Sequence, residues 1–330
     1  MPSSARFDIL GIGNAIVDVV ARAEEAFLSK HGMRKGAMTL VDAETAEAIY
    51  AAMPPGQESS GGSVANTCAV AAALGARVAY LGKVAEDQLG RVFGHDIRSS
   101  GVFFPSAPLT NGVSTARCMI LVTPDGQRTM NTFLGACTAF GEDDVDEALV
   151  ADVAVTYLEG YLFDPPAAQA AFRKAAAAAH AAGRLVALSL SDAFCVGRHR
   201  EAFRDLVAGH VDILFANEVE VCSLYEANDF ASAAEASRRD VSLAALTRSE
   251  EGSVIVYGDE TLAVPAEPTQ LVDSTGAGDA YAAGFLAGLA ARRPLAVCGR
   301  LGSIAAAEVI SHYGARPEAD LRVLAAAAIG

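Results

Sequence analysis

A chain of 330 residues that is 52% hydrophobic can bury a large core, enough for one large α/β domain with a smaller excursion. Its formal net charge of −15 argues against a nucleic-acid partner, because a phosphate backbone requires clustered Lys and Arg. The N-terminus has no apolar signal core, and no uncharged apolar span of about 18 residues follows. These features predict no membrane association and a reduced, soluble, cytoplasmic protein.

The cysteines show no C-x-x-C pair and no Cys/His cluster with metal-ligand spacing. We therefore expect most of them to be small buried apolar residues rather than ligands. The six are Cys68, Cys118, Cys137, Cys195, Cys222 and Cys298.

Short apolar runs alternate with longer helical patterns along most of the chain. Such alternation predicts a mostly parallel sheet that is covered by helices on both faces. The predicted strands are 7–13, 77–82, 153–158, 185–190 and 211–216, and the helices between them include 64–74, 166–182 and 199–208. A β-rich section (242–246, 253–257 and 261–264, with Gly258-Asp259 as a turn) precedes helices near 277–291, 295–310 and 318–327.

Four β-prone segments do not fit this alternation. The turn Pro124-Asp-Gly-Gln127 lies between two of them, and its Asp-Gly pair predicts a hairpin. Strands that leave the main sheet would form a separate lid. The four segments are 15–21, 37–41, 113–122 and 129–134.

The first strand leads into Gly11-Ile-Gly-Asn-Ala-Ile-Val-Asp18 at the predicted entry to the lid. A carboxylate at Asp18 can accept hydrogen bonds from two adjacent sugar hydroxyls, although a solvent-facing strand acid is the alternative. A dinucleotide-binding fingerprint is excluded, because Ile16 occupies the position of its third glycine and no helix evidently follows. This argues against an NAD-dependent oxidoreductase.

Gly61-Gly-Ser-Val-Ala-Asn66 stands at the start of a small-residue helix. Glycine at Gly62 would allow a flat ligand to approach the backbone closely, and Asn66 would supply a donor and an acceptor for vicinal hydroxyls. An ordinary Gly-rich helix N-cap explains the same pattern.

Arg128 follows the predicted hairpin turn. On a mobile lid it could reach a transferring phosphoryl group and neutralise its charge, but an exposed turn arginine is the commoner explanation.

The most informative segment is Asp273-Ser-Thr-Gly-Ala-Gly-Asp279, which runs directly into a small-residue helix. The backbone N–H groups of Gly276, Ala277 and Gly278 at this helix start would attract an anion such as a phosphate. Asp279 would place a carboxylate where a hydroxyl awaiting phosphorylation loses its proton. The alternative is a loop that ends a strand, with Asp279 as a first-turn acid favoured by the helix dipole.

The whole segment resembles the C-terminal signature of the ribokinase-like (PfkB) carbohydrate kinases, and four motifs occur in the family's order from Gly11 to Pro317. Features such as Gly13-Asn-Ala-Ile-Val-Asp18 and Val309-Ile-Ser-His-Tyr-Gly-Ala315 resemble its adenosine-kinase-like branch. The resemblance implies a three-layer α/β/α fold with a central, mostly parallel sheet and a small β lid that closes over the substrate. It suggests a large domain of residues 1–13, 44–110 and 136–330 and a lid of residues 14–43 and 111–135.

The resemblance also implies roles for individual residues. Asp279 would be the catalytic base, Gly276–Gly278 the anion hole, and Arg128 a lid cation. Asp18, Gly62 and Asn66 would hold the ribose. ATP would be bound by Asn217, Thr247, Gly252, Thr275, Gly276 and Gly278, and Glu220 of Asn217-Glu-Val-Glu220 would act on Mg²⁺ largely through water.

Two of these assignments have weaknesses. A helix N-terminus with first-turn acids explains Asn217 to Glu220 equally well. Ser249 stands where the family usually has a glycine, which weakens the assignment of Thr247 and Gly252.

Lid strands would carry Met38, Leu40, Phe133 and Leu134 over the substrate as walls of a base pocket, and simple packing between lid and body is an equal alternative.

The expected activity is transfer of the ATP γ-phosphoryl group, with Mg²⁺, to the primary hydroxyl of a ribosyl compound, above all the 5′-hydroxyl of adenosine. The alternatives are a free-sugar kinase for ribose, fructose or 2-keto-3-deoxygluconate, and a kinase for inosine or guanosine. A non-catalytic nucleotide- or sugar-binding regulator belongs to a different class, and the intact Asp279 argues against it. Lid strands with open edges are compatible with a monomer or a homodimer.

Overall fold

The computed structural model describes residues 5–110 and 112–329, so the ends of the predicted domain ranges at residues 1–4, 111 and 330 lie outside it. Within these residues, fourteen strands form two sheets. They are β1 (Phe7–Ile12), β2 (Ile16–Arg22), β3 (Met38–Leu40), β4 (Gln57–Gly61), β5 (Val78–Leu81), β6 (Val102–Phe103), β7 (Ala116–Val122), β8 (Arg128–Phe133), β9 (Val153–Glu159), β10 (Leu185–Ser189), β11 (Ile213–Asn217), β12 (Leu243–Thr247), β13 (Ser253–Tyr257) and β14 (Glu260–Val264).

The described residues contain thirteen α-helices. They are α1 (Glu25–Lys30), α2 (Ala43–Ala52), α3 (Ser63–Ala73), α4 (Gln88–Ser99), α5 (Glu147–Ala151), α6 (Pro166–Ala181), α7 (Ala193–Arg198), α8 (Arg200–His210), α9 (Glu218–Tyr225), α10 (Phe230–Asp240), α11 (Ala277–Ala290), α12 (Leu295–Val309) and α13 (Leu321–Ile329). Short 3₁₀ turns cover Gly135–Ala139, Glu142–Asp144, Gly160–Phe163 and Ser249–Glu251. None of the described helices has the length and apolar character needed to cross a bilayer.

The large sheet has nine strands in the order β14-β13-β12-β11-β10-β9-β1-β5-β6. The strands from β12 to β6 pair in parallel, and β13 and β14 pair antiparallel at one edge. One apolar cluster, which includes Phe172 of α6 and Phe203 of α8, covers one face. A second cluster, which includes Val70 of α3 and Phe285 of α11, covers the other. The predicted three-layer α/β/α fold is confirmed.

The second sheet has five strands in the order β3-β8-β7-β2-β4. The predicted hairpin is present: β7 and β8 pair antiparallel, and Gly126 in the turn has φ +83°. One strand was not anticipated. The segment Gln57–Gly61 fell in the range assigned to the large domain, but it pairs with β2, so β4 belongs to the small sheet. Its sequence, Gln-Glu-Ser-Ser-Gly, has neither the apolar alternation nor the β-branched residues that identify a strand.

The cysteines are free, and five of the six are buried, with Cys222 partly exposed. This agrees with their expected role as small apolar residues.

Helices α11 and α12 pack closely because glycines lie at their contact. A Cβ atom on Gly284 would lie 2.3 Å from the carbonyl oxygen of Leu301, and one on Gly302 would lie 2.7 Å from that of Tyr281. Real side chains do not reach such distances to backbone atoms, so only glycine permits this approach. The crossing matters for the site, because α11 begins at the Gly-rich turn that precedes Asp279.

We therefore expect Gly284→Ala to lower the free energy of unfolding by about 1–3 kcal/mol, because the two helices must separate to admit the methyl group. Gly209→Ala is the matched control: Gly209 lies in α8, and a Cβ there would meet nothing within 4 Å. It should leave stability unchanged or raise it by up to about 1 kcal/mol. Urea unfolding of both variants measures the difference, and equal effects would contradict the tight crossing.

Candidate active site

The turn before α11 presents backbone donors at an open helix start. Gly276 is the N-cap of α11, with φ +78°, and among the described residues no side chain accepts a hydrogen bond from the first turn. Ala277 N donates to the Ser274 carbonyl oxygen over 3.3 Å. A Cβ on Gly278 would meet nothing within 4 Å, so the space beside this turn is open. The N–H groups at this helix start and the positive end of the helix dipole together favour an anion here.

Asp279 lies in the first turn of α11 and is held by α3. Ser63 Oγ donates to Asp279 Oδ1 over 2.6 Å, and Asn66 Nδ2 donates to Oδ2 over 3.3 Å. Burial raises the pKa of Asp279 to about 6, although these two hydrogen bonds and the positive charge of Arg316 act to lower it. A carboxylate with a pKa near 6 is ionised at neutral pH and is still basic enough to accept a proton.

The Gly61-Gly62 pair fills the space between Asp18 and the entry of α3. A Cβ on Gly61 would lie 2.3 Å from Asp18 Cγ, and one on Gly62, which has φ +97°, would lie 2.2 Å from the Asn14 carbonyl oxygen. Within the described part of the chain, no group donates a hydrogen bond to the Asp18 carboxylate. Burial raises the pKa of Asp18 to about 6, while Arg316 and Arg128 act to lower it. Its oxygens are therefore free to accept hydrogen bonds from a ligand.

One row of side chains crosses the small sheet from Asp18 to its edge. Asp18 on β2 is opposite Cys118 on β7, Cys118 is opposite Thr132 on β8, and Thr132 is opposite Leu40 on β3. Paired residues point to the same side of a sheet, and so do residues two apart along a strand. Arg128, Met130 and Thr132 therefore share the face that carries Asp18.

The predicted base-pocket residues divide between the two faces. Met38 and Leu40 lie on the Asp18 face and are 46% and 53% exposed. Leu40 and Leu134 border a cavity of about 190 Å³, and Met38 and Leu40 border another of about 590 Å³. Phe133 also borders the smaller cavity, but it is almost buried and packs with Ile49 of α2 on the opposite face. For Phe133, packing within the lid is the better explanation.

Arg128 is not an exposed turn residue. Its side chain is 10% exposed and forms an ion pair with Asp273, which is 7% exposed. Asp273 also accepts hydrogen bonds from the backbone N–H groups of Gly314 and Thr275 and from the Thr275 hydroxyl. Burial acts to raise the pKa of Asp273, but these donors and the charge of Arg128 together lower it. Arg128 thus joins strand β8 of the lid to the segment that leads into Asp279.

Two of the predicted ATP-binding residues meet at the ends of neighbouring strands. Asn217 on β11 and Thr247 on β12 are directly opposite each other. Asn217 and Glu220 form a capping box at the start of α9, in which Asn217 Nδ2 donates to Glu220 Oε1 over 2.7 Å. The helix N-terminus that the sequence offered as an alternative is therefore present.

Gly252 has φ +86°, and a Cβ there would lie 2.2 Å from the Val264 carbonyl oxygen, so its glycine is explained by local geometry. Ser249, which replaces the family's usual glycine, has φ +51°. It adopts the left-handed conformation that glycine favours, at some cost in strain. The loop can thus keep its shape despite the substitution.

Three residues beside the site were missed by the sequence analysis. Ser63 precedes Asn66 by three positions, so both point from one face of α3, and that spacing was the available signal. Glu159 is buried at the end of β9 and accepts hydrogen bonds from Asn14 N over 2.7 Å and Asn14 Nδ2 over 3.2 Å. Burial raises the pKa of Glu159 to about 8. Glu159 lies in no segment with a recognisable local pattern, whereas Arg316 directly follows the feature Val309–Ala315, which assigned it no role.

Glu220 fits a magnesium ion only through water. Within residues 5–110 and 112–329, no group of three His, Cys, Asp or Glu side chains could hold a metal ion by itself. Each oxygen of Glu220 already accepts a hydrogen bond from Asn217, yet a carboxylate oxygen keeps a second lone pair. Magnesium retains several waters and relies on substrate phosphates, so one nearby carboxylate suits it. Burial raises the pKa of Glu220 to about 7, and a nearby cation would favour its ionised form.

Comparisons with known proteins agree with this geometry. Residues 38–321 match the model of the pfkB family of carbohydrate kinases. The crystal structure of adenosine kinase from Sinorhizobium meliloti is 53% identical, with a TM-score of 0.90 over 98% of this chain and 100% of that one. A probable sugar kinase from Rhizobium etli CFN 42 is 49% identical, with a TM-score of 0.90 over 98% and 99% of the two chains. Adenosine kinase from Saccharomyces cerevisiae is 27% identical over 92% of this chain and 94% of its own.

The buried pair of Arg128 and Asp273 predicts a strong coupling. Asp273→Ala should lower the free energy of unfolding by about 3 kcal/mol or more, because it leaves a guanidinium buried without its partner. Arg128→Met with Asp273→Ala should cost less than the sum of the two single changes. Urea unfolding of the four proteins measures the coupling.

The pH dependence is a second readout of the same pair. The pKa of Asp273 is lower in the folded state than its ordinary value of 3.8, so its contribution is present above that value and is lost as the pH falls. The difference between wild type and Asp273→Ala should therefore shrink below about pH 4. Additive single changes, or a difference that does not vary with pH, would contradict the ion pair.

Proposed function

The chain belongs to the pfkB family of carbohydrate kinases, and we propose that within this family it transfers the γ-phosphoryl group of ATP to the 5′-hydroxyl of adenosine. As a member of this family it is a phosphotransferase with a hydroxyl acceptor. The proposal concerns which acceptor it uses and which residues act on it.

The row of side chains across the lid is the observation that favours a nucleoside. It begins at Asp18, which can accept hydrogen bonds from two ribose hydroxyls, and ends three strands away at Leu40. Three inter-strand spacings make this distance about 14 Å, which is longer than one sugar ring. The far end is apolar and exposed, with Met38 beside Leu40. A ribose at Asp18 with a planar base over Leu40 would use the whole row, whereas a free sugar would leave the apolar end without a partner.

Asp279 is the proposed catalytic base. It would accept the proton of the 5′-hydroxyl as the hydroxyl oxygen forms its bond to the γ-phosphorus and the bond from that phosphorus to ADP breaks. Ser63 and Asn66 fix the carboxylate orientation before the substrate arrives. Most of the rate gain in such a transfer comes from positioning, so a base that is already oriented has a clear use.

The first turn of α11 and Arg128 are the proposed electrostatic stabilisers of the phosphoryl group. The N–H groups from Gly276 to Gly278 would face its oxygens. Arg128 is also suited to this role, because its Nε is buried without a hydrogen-bond partner among the described residues. A phosphoryl oxygen would satisfy that donor, while Asp273 holds the other end of the guanidinium.

The nucleotide would lie toward the ends of β11 and β12, beside Asn217, Thr247 and Gly252, with Thr275 and the glycines of the α11 turn at its phosphates. Magnesium, when bound, would neutralise charge on the phosphate oxygens. Glu220 is the side chain that we propose would hold it through water.

The test is ADP release from Mg·ATP with a panel of adenosine, inosine, guanosine, ribose, fructose and 2-keto-3-deoxygluconate. We expect turnover with adenosine at a micromolar KM, as for an adapted substrate. Preference for a free sugar would refute the nucleoside assignment and keep the kinase chemistry. No turnover with any compound of the panel would refute adenosine and the alternatives tested, and would favour an untested acceptor or a binding role.

Leu40→Ala tests whether the apolar end of the row contacts the base, by comparing adenosine with ribose as acceptors. It should raise the KM for adenosine by roughly tenfold, because the base loses apolar contact worth about 1–2 kcal/mol. Any residual activity with ribose should not change, because ribose would not reach Leu40. An equal effect on both acceptors would show that Leu40 supports the fold of the lid and does not contact the base.

Asp279→Asn should lower kcat by on the order of 10²-fold or more while the fold is retained. In the wild type, kcat/KM should fall on the acid side below about pH 6, because Asp279 must be deprotonated to act as a base and its pKa is raised to about 6. The pKa of Asp18 is also raised to about 6, so this acid limb of the pH profile of kcat/KM reports both groups together. Near-normal turnover in Asp279→Asn would remove it from this role.

A further inference from the structure

Arg316 lies in the loop that follows α12, and its guanidinium lies between the lid strand β4 and helix α3. Arg316 Nη2 donates to the Ser60 carbonyl oxygen over 2.7 Å and to Ser60 Oγ over 3.0 Å. Its Nη1 donates to the Ala65 carbonyl oxygen over 3.3 Å. Ser60 lies on β4 and Ala65 on α3, so one side chain joins two elements that are far from it in sequence.

The two anchor points enclose the segment that forms much of the site. Between Ser60 and Ala65 lie Gly61 and Gly62, whose backbone packs against Asp18 and the Asn14 carbonyl group. The same short segment contains Ser63, which holds Asp279. A movement of this turn would therefore displace both carboxylates at once.

Ser60 is fixed from a third direction. Asp96 of α4 accepts from Ser60 N over 2.8 Å and from Ser60 Oγ over 2.5 Å. The Ser60 hydroxyl thus donates to Asp96 and accepts from Arg316. The polar network ties the C-terminal loop, α4 and the lid strand β4 to one residue, and Ser60 is almost fully buried.

The charge of Arg316 acts on the same two carboxylates. It opposes the effect of burial on the pKa of both Asp18 and Asp279. The negative charge of Asp279 in turn raises the pKa of five other titratable groups. They are Asp18, Tyr157, Glu159, Tyr161 and Glu220.

We propose that Arg316 is a positioning residue that clamps the Gly61-Gly62 turn, and so holds Asp18 and Asp279 at their separation for acceptor binding and proton transfer. Its effect on catalysis rests on the function proposed above; its effect on the turn does not. The planar fork of arginine is suited to two separated carbonyl oxygens, whereas lysine offers a single point charge.

Arg316→Met and Arg316→Lys separate the clamp from the charge. Arg316→Met should raise the KM for the acceptor by roughly tenfold, the change expected on losing a charge-assisted hydrogen bond. It should also move the acid limb of kcat/KM to higher pH, because a positive charge that helps to lower the pKa of Asp279 is gone. Arg316→Lys should keep the limb near its original pH but still raise the KM. Arg322→Met is the control, since Arg322 is an exposed neighbour paired only weakly with Asp320.

Hydrogen exchange of the backbone amides of residues 59–66, measured without any ligand, tests the clamp independently of the substrate. Exchange should be faster in Arg316→Met than in wild type and unchanged in Arg322→Met. If the wild type turned over no acceptor in the panel, the proposed function would fail but this comparison would still decide the role of Arg316. Unchanged exchange, KM and acid limb in Arg316→Met would overturn the proposal. A fall in kcat alone, with exchange and limb unchanged, would also overturn it.

Discussion

The site depends on the close contact between the starts of two small-residue helices, α3 and α11. Asp279 can accept hydrogen bonds from Ser63 and Asn66 only because α3 presents both donors toward the first turn of α11. Alanine and glycine along these helices remove the side-chain bulk that would hold them apart, and Gly284 does the same where α11 meets α12. Close helix packing, which is a property of the core, therefore sets the position of the proposed base.

The lid adds a second requirement: its sheet must keep a fixed position relative to the large domain. Its strands carry Asp18, Leu40 and Arg128 on one face, and the lid is fixed to the large domain at two places. Arg128 pairs with Asp273 at one place, and Arg316 joins Ser60 and Ala65 at the other. A slip of one residue in any lid strand would turn its side chains to the opposite face, where Phe133 packs against α2.

The electrostatic character of the site follows from burial. The pKa values of Asp18, Asp279, Glu159 and Glu220 are all raised, because each carboxylate has lost water and several repel each other. Hydrogen bonds from Ser63, Asn66 and Asn14 and the charge of Arg316 counter this effect without cancelling it. For Asp279, a pKa near 6 leaves the carboxylate ionised at neutral pH and still basic enough to accept a proton.

Much of the fold, and the turn that leads into Asp279, could be predicted from the sequence because the signals for them are local. Alternating apolar runs and helical patterns indicate the layered parallel sheet, Asp125-Gly126 indicates the lid hairpin, and Gly276-Ala-Gly-Asp279 indicates a helix start with a carboxylate in its first turn. The positive φ at Gly276 and Gly126 explains why glycine is present at both turns. Each of these inferences concerns residues within a few positions of one another, where backbone geometry alone constrains the choice of amino acid.

The partners of those residues were decided by the tertiary structure alone. Arg128 meets Asp273 across 145 positions, Ser63 meets Asp279 across 216, and Arg316 meets Ser60 across 256. Strand β4 was missed for the same reason, since its polar sequence becomes a strand only because β2 is there to pair with it. No periodicity or spacing encodes such pairs, because they form only when the packing of complete helices and sheets brings distant segments together.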